Sequence, residues 1–155
     1  MTPYTLPGMV IKKIDPVSIP AICQVDFSKL KSRKAEIVTR RQVAIALMAV
    51  FTDYDYGRIT TPFRKDRATV YNCILRMDNA LLTGEAMVLS ILVPIFIDLY
   101  WSHQMVKEST STTSKDYDAI ECVDERLSKH IFSKSLVAGI QSGKYTSQAS
   151  YGATG

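Results

Sequence analysis

Residues 66–84 read DRATVYNCILRMDNALLTG, and the reading of this stretch decides the fold. Between Asp66 and the Thr83-Gly84 pair there is neither Gly nor Pro, and Gly84 supplies the usual helix stop. Val70, Ile74, Met77 and Leu81 recur at helical spacing and make one inward stripe. The opposite stripe is Lys65, Ala68, Thr69, Asn72 and Arg76. These are small, hydrogen-bonding or cationic side chains, the kind a helix needs to enter a groove without steric block.

Upstream, residues 31–51 also lack Gly and Pro, and their Ala-, Leu-, Met- and Arg-rich composition favours a long helix. Its second half, 43–51, is apolar almost all round and belongs in the core. Asp53 and Asp55 are candidate N-caps for a short helix through about Thr61, which Pro62 ends or redirects. Downstream, residues 85–107 form a third, very apolar helical stretch with an expected kink at Pro94. The STSTTS run at 109–114 reads as a loop. Tyr117, Ile120, Val123 (or Asp124), Leu127 and Ile131 then give a fourth stripe, placed to fold back on the third helix.

The expected organisation is an extended N-terminal arm over 1–17, broken by prolines and holding one short strand at 9–14, and a helical domain over 18–84. A C-terminal helical segment over 85–141 and a flexible tail over 142–155 follow. The fold class is all-α. A chain of 155 residues excludes a multi-domain machine, and 46% hydrophobic against 22% charged residues excludes a disordered chain.

Net charge is only +4, but residues 28–77 hold eleven cations against four carboxylates, a local surplus of +7 that leaves −3 for the rest. Such a segment points to a polyanionic partner. Three scattered cysteines without CxxC spacing argue against a disulfide framework or structural zinc and fit a reducing compartment. The first residues do not read as a secretory signal, and the apolar run 86–97 falls short of the roughly 20 residues of a membrane span. A cytoplasmic, nucleoid-associated protein is the expectation, without a membrane or small-molecule partner.

Two helices joined by a short turn, the second with a polar outer stripe, behind a long buried helix and a basic loop, is the arrangement of a helix-turn-helix DNA binder. Residues 30–47, LKSRKAEIVTRRQVAIAL, resemble the start of the C-terminal DNA-binding domain of the bacterial replication initiator DnaA, where a basic SRK-type run leads into an RQ-initiated apolar helix. Residues 59–70, ITTPFRKDRATV, look like that family's signature, an isoleucine-containing turn and a phenylalanine followed by Arg-Asp-His-Ser/Thr-Thr-Val. The similarity runs over about 18–82. It implies a DnaA-like helix-turn-helix with an appended C-terminal helical hairpin.

By position, the resemblance aligns Arg41 with the arginine the family places in the minor groove. It aligns Lys65, Asp66, Arg67, Ala68 and Thr69 with the block at the start of the recognition helix. Within that block Asp66 would accept from a cytosine amino group, and Ala68 or the Thr69 methyl would meet a thymine methyl. Lys65, Arg67 and Arg76 would reach phosphate or guanine, while Lys31, Arg33, Lys34 and Arg40 neutralise phosphates. The chain departs from the family at Thr60 for glycine, at a turn shortened by one residue to Arg64-Lys65, at Arg67 for histidine and at Ala68 for Ser/Thr. It has no GxxxxGK[ST] phosphate loop, so the initiator's ATPase is not carried over.

Plainer roles stand beside these. Asp66 is also a candidate N-cap, and Arg41 a candidate salt-bridge partner for Glu36 or Asp53. His103 and His130 lie far apart without clustered Cys or paired carboxylates, so no metal, cofactor or acid–base site is expected. The 53–57 segment lacks the later glutamate of a calcium loop. Tyr145 and Tyr151 could stack on bases but are expected in a solvated end.

The expected function is sequence-specific double-stranded DNA binding without catalysis, as a replication or transcription accessory, with phage origin as a guess from size and divergence. The alternative is a structural or interaction protein, such as a phage-particle or assembly component in a virion, that turns the same fold to protein contacts. Residues 86–101 then serve as the surface for self-association or a protein partner.

Overall fold

The computed structural model describes residues 18–109 and 114–145, with side chains at 109 and 114–117 left aside. The strand expected at 9–14, the loop at 110–113 and the tail residue Tyr151 lie outside the described residues, as does the side chain of the stripe position Tyr117. The described chain is all-α. It comprises α1 (Ser18–Ile22), α2 (Ala35–Phe51), α3 (Tyr56–Thr60), α4 (Ala68–Thr83), α5 (Ala86–Ser109), α6 (Ser114–Lys129) and α7 (Ile131–Gln141), with 3₁₀ turns at Phe27–Lys29 and Thr61–Phe63.

Helix α2 is the axis of the molecule. Every side chain from Val43 to Phe51 is buried, as expected for a helix packed from several sides, and α1, α4, α5 and α6 all lie against it. Asp55 caps α3 by accepting from the Arg58 N–H at 2.8 Å, and Gly84 closes α4 in the left-handed conformation at φ +69°. On α4, Val70, Ile74 and Met77 face the core with Cys73 and Ala80, while Leu81 is half-buried.

Helix α5 runs on through Pro94, which lies on its solvent side where the missing N–H harms least. By length and composition alone, Ala86–Glu108 is apolar enough to cross a membrane, which revises the reading that its apolar run is too short. Val88, Leu92 and Phe96 are nonetheless fully buried, with the Phe96 ring edge-on to Phe51 of α2 at 5.1 Å. Core residues of α5, α6 and α7 join those of α1 to α4 in a single cluster.

The fourth helical stretch differs from its expectation in two ways. It packs chiefly on α2 and α7. It also ends at His130, whose extended backbone (φ −99°, ψ 146°) starts a separate helix and leaves Ile131 64% exposed, so Ile131 is not part of the inward stripe. The break is held by the Ser133 hydroxyl, which donates to the Leu127 carbonyl at 2.6 Å, and by Asp78 of α4, which accepts the Phe132 N–H at 2.8 Å. The first residues of the expected tail, 142–145, pack back on α7. Tyr145 donates its N–H to the Gly139 carbonyl and lays its ring over Gly139, so it is half-buried.

Candidate nucleic-acid interface

The basic segment between the 3₁₀ turn at Phe27–Lys29 and the start of α2 lies opposite the turn that leads into α4. Together they enclose a cleft of about 730 Å³, lined by Lys29, Lys31, Lys34, Arg64 and Lys65 over the rings of Phe27 and Phe63. No carboxylate lines it, and among the described residues none of the five cations is ion-paired. Asp26, which caps the 3₁₀ turn, offsets part of the Lys29 charge; the remaining cations repel one another, and the arrangement is favourable when a polyanion brings phosphates to it.

The position of Arg64 follows from an unusual backbone. Arg64 sits at φ +58°, ψ +42°, the left-handed region that glycine fills without strain. Its N–H donates to Thr61 O at 3.0 Å and the Lys65 N–H to Thr60 O at 3.3 Å, closing the turn tightly. The two cations are thereby brought to the mouth of the cleft just before α4 begins.

The sequence-named residues divide into three groups. Lys31, Arg33, Lys34, Lys65, Asp66, Arg67, Ala68 and Asn72 are exposed, and Thr69 is half-buried beside them, so the basic loop and the first turns of α4 present an open edge. Arg41 is half-buried and donates to Ser32 O at 3.4 Å, which ties it to the basic loop; it pairs with neither Glu36 nor Asp53. The charges of Arg41 and Lys65 both act on the Cys73 thiol, opposing the effect of its burial.

The third group is turned to structural use. Arg40 pairs with Glu36 one helical turn back at 2.9 Å and donates to Cys23 O, so it is only partly available to a ligand. Arg76 forms a two-pronged ion pair with Glu85, locking the end of α4 to the start of α5. That contact raises the Arg76 pKa and lowers that of Glu85. The guanidinium of Arg76, expected to reach phosphate or guanine, is thus already matched by a carboxylate fork. The capping role of Asp66 is corrected, since its carboxylate meets the Thr69 hydroxyl at 3.4 Å and α4 has no side-chain cap.

Three residues of this surface were missed by reading the sequence. Lys29 and Arg64 line the cleft, and Tyr71 is 62% exposed on α4, edge-on to Tyr56 at 5.0 Å. Lys29 was within the basic run and Tyr71 stands three residues after Ala68, so both carried a signal; the backbone of Arg64 did not. Burial pushes the thiols of Cys23 and Cys73 up to about 12, which keeps them protonated and removes them as nucleophiles. No cluster of three or more metal-ligating side chains occurs among the described residues. Comparison with protein-family models, curated proteins and solved structures returns no match to this chain.

Proposed function

We propose that the chain is a non-catalytic, sequence-specific double-stranded DNA-binding protein. The carrying observation is the carboxylate-free cleft of Lys29, Lys31, Lys34, Arg64 and Lys65, continuous with the exposed edge of Arg67, Ala68 and Asn72 on α4. The cleft seats the phosphate backbone, and that edge enters the major groove, where small side chains allow close approach. Arg41, tied to the basic loop, serves the adjacent minor groove. The resemblance of 30–47 and 59–70 to the DnaA DNA-binding domain supports the same assignment. The left-handed Arg64 lies in the turn that is one residue shorter than the family's, and it adds a cation there. Without a phosphate loop, the role is that of a replication or transcription accessory that reads DNA and does not drive assembly with ATP.

A second reading, protein binding, is favoured by the exposed apolar side chains of Leu75 and Leu82 farther along α4. Selection of bound sequences from a random duplex library separates the two. DNA reading predicts an enriched motif whose symmetry also reports the number of copies bound. Protein binding predicts no enrichment.

A further inference from the structure

The basic cleft has an apolar part that its charge does not account for. Besides the five cations its lining includes Phe27, Leu30, Ile37 and Phe63. Phe27 is 45% exposed while Phe63 is buried, and their ring centres lie 5.2 Å apart. Phe27 opens the 3₁₀ turn that Asp26 caps, accepting from the Ser28 N–H at 2.9 Å and from the Ser28 hydroxyl at 2.6 Å. The capped turn and the buried neighbouring ring hold the exposed ring in place before a ligand arrives, so binding there costs little further ordering.

A phosphate on a duplex is a hydrated anion that gains nothing from an aromatic ring, and the bases of a duplex are stacked on one another inside it. A ring among cations is complementary to a base that has left the stack, whose face covers the apolar surface while its phosphates meet the charges. The cleft volume of about 730 Å³ falls within the range of about 300–1,000 Å³ for sites that enclose small organic groups. Five cations exceed what the phosphate of one free nucleotide matches and suit successive phosphates along a strand.

We propose that the cleft receives an unpaired base of a DNA strand, stacked on Phe27, with the neighbouring phosphates on Lys31, Lys34, Arg64 and Lys65. The proposal rests on the duplex-reading assignment and adds to it a preference for a duplex that continues as a single strand. The edge of α4 then holds the paired part, and the cleft holds the first unpaired nucleotides.

The test uses the full chain with a blunt duplex, the same duplex carrying a short thymidine overhang, and the same duplex carrying an abasic overhang of equal length, which keeps the phosphates and lacks the bases. The thymidine overhang should be bound about tenfold more tightly than the abasic one. Phe27→Leu should bring that ratio to about one with unchanged helical circular dichroism, and Phe27→Tyr should keep it. Lys31→Ala should weaken both overhang ligands alike and leave the ratio as it was. Equal affinity for the two overhangs, with the blunt duplex still bound, overturns the proposal and leaves the duplex reading standing. So does a ratio that survives in Phe27→Leu, which places the base elsewhere. A single-stranded oligonucleotide that shows the ratio while the blunt duplex is not bound contradicts the duplex reading and keeps the cleft as a base site. A free deoxynucleoside monophosphate that displaces the overhang at micromolar concentration overturns the strand as the occupant.

Discussion

Arg126 of α6 donates from Nη1 to the carbonyl oxygen of Thr52, the C-cap of α2, at 2.8 Å, and to that of Ala49 at 3.3 Å. The last carbonyls of a helix have no partner within it, and here a guanidinium from 74 residues away supplies one. The C-terminal helices are thus fastened to the end of the same helix whose start carries the basic loop. Arg126→Ala leaves these carbonyls without their donor and is expected to lower stability by about 1–3 kcal/mol, read as a shift of the urea midpoint. Arg126→Lys recovers only part of the loss, because an ammonium is more strongly hydrated than a guanidinium and gives up more to reach these part-buried carbonyls.

Asp78 provides the reciprocal fastening. It lies on the core-ward side of α4 and caps α7 through the Phe132 N–H. Asp78→Ala is expected to cost about 0.5–2 kcal/mol, the usual range for losing an N-cap acceptor. Amide exchange at Phe132 should accelerate, while that in the middle of α2 follows only the global change.

Acid weakens this C-terminal packing. His103 on α5 is buried with Nε2 2.8 Å from Asp124 Oδ1, and Lys107 shares the same carboxylate at 3.1 Å. Burial holds the His103 pKa below its ordinary 6.5 despite Asp124, and burial does the same to His130, helped by Lys129. The unfolded chain therefore takes up protons near pH 6.5 that the folded chain refuses. Stability is fully present above pH 6.5 and declines as pH falls below it. Urea midpoints at pH 7.5, 6.5 and 5.5 should fall in that order, and His103→Gln should flatten the decline.

Arg64 separates binding from folding. Arg64→Gly places glycine where φ is +58° and removes one cleft cation. Stability should stay level or rise by up to about 1 kcal/mol as left-handed strain is relieved against added chain entropy. Duplex affinity should fall for every sequence. A variant that loses both together would place Arg64 in the fold and not in the interface.

On the proposed reading, Arg41 and the cations of the basic loop should behave differently. Arg41→Ala is expected to weaken binding to a selected sequence by about 1–3 kcal/mol with less effect on unrelated DNA. Lys31→Ala should weaken all sequences alike and reduce the salt slope by about 1. Mobility-shift titrations against matched and scrambled duplexes distinguish the two patterns.

What could be read from the sequence was local. The Asp55 cap, the Gly84 stop and the Val70, Ile74 and Met77 stripe depend on residues within a few positions of one another, and each was legible. The break at His130 was not, because no Gly or Pro marks it and its capping acceptor, Asp78, comes from a distant helix. The exposed face of Asn72 followed from helical period alone. The capture of Arg76 by Glu85 required knowing how the chain turns at Gly84, and the left-handed Arg64 is hidden because arginine gives no hint of positive φ.

The basic cleft is the centre of the account, and its affinity for duplex DNA as a function of salt tests it most directly. With five cleft cations releasing counterions, the logarithm of the association constant should fall against the logarithm of salt concentration with a slope of about −4 to −5. Absence of duplex binding at low salt, or an affinity indifferent to salt, would contradict it.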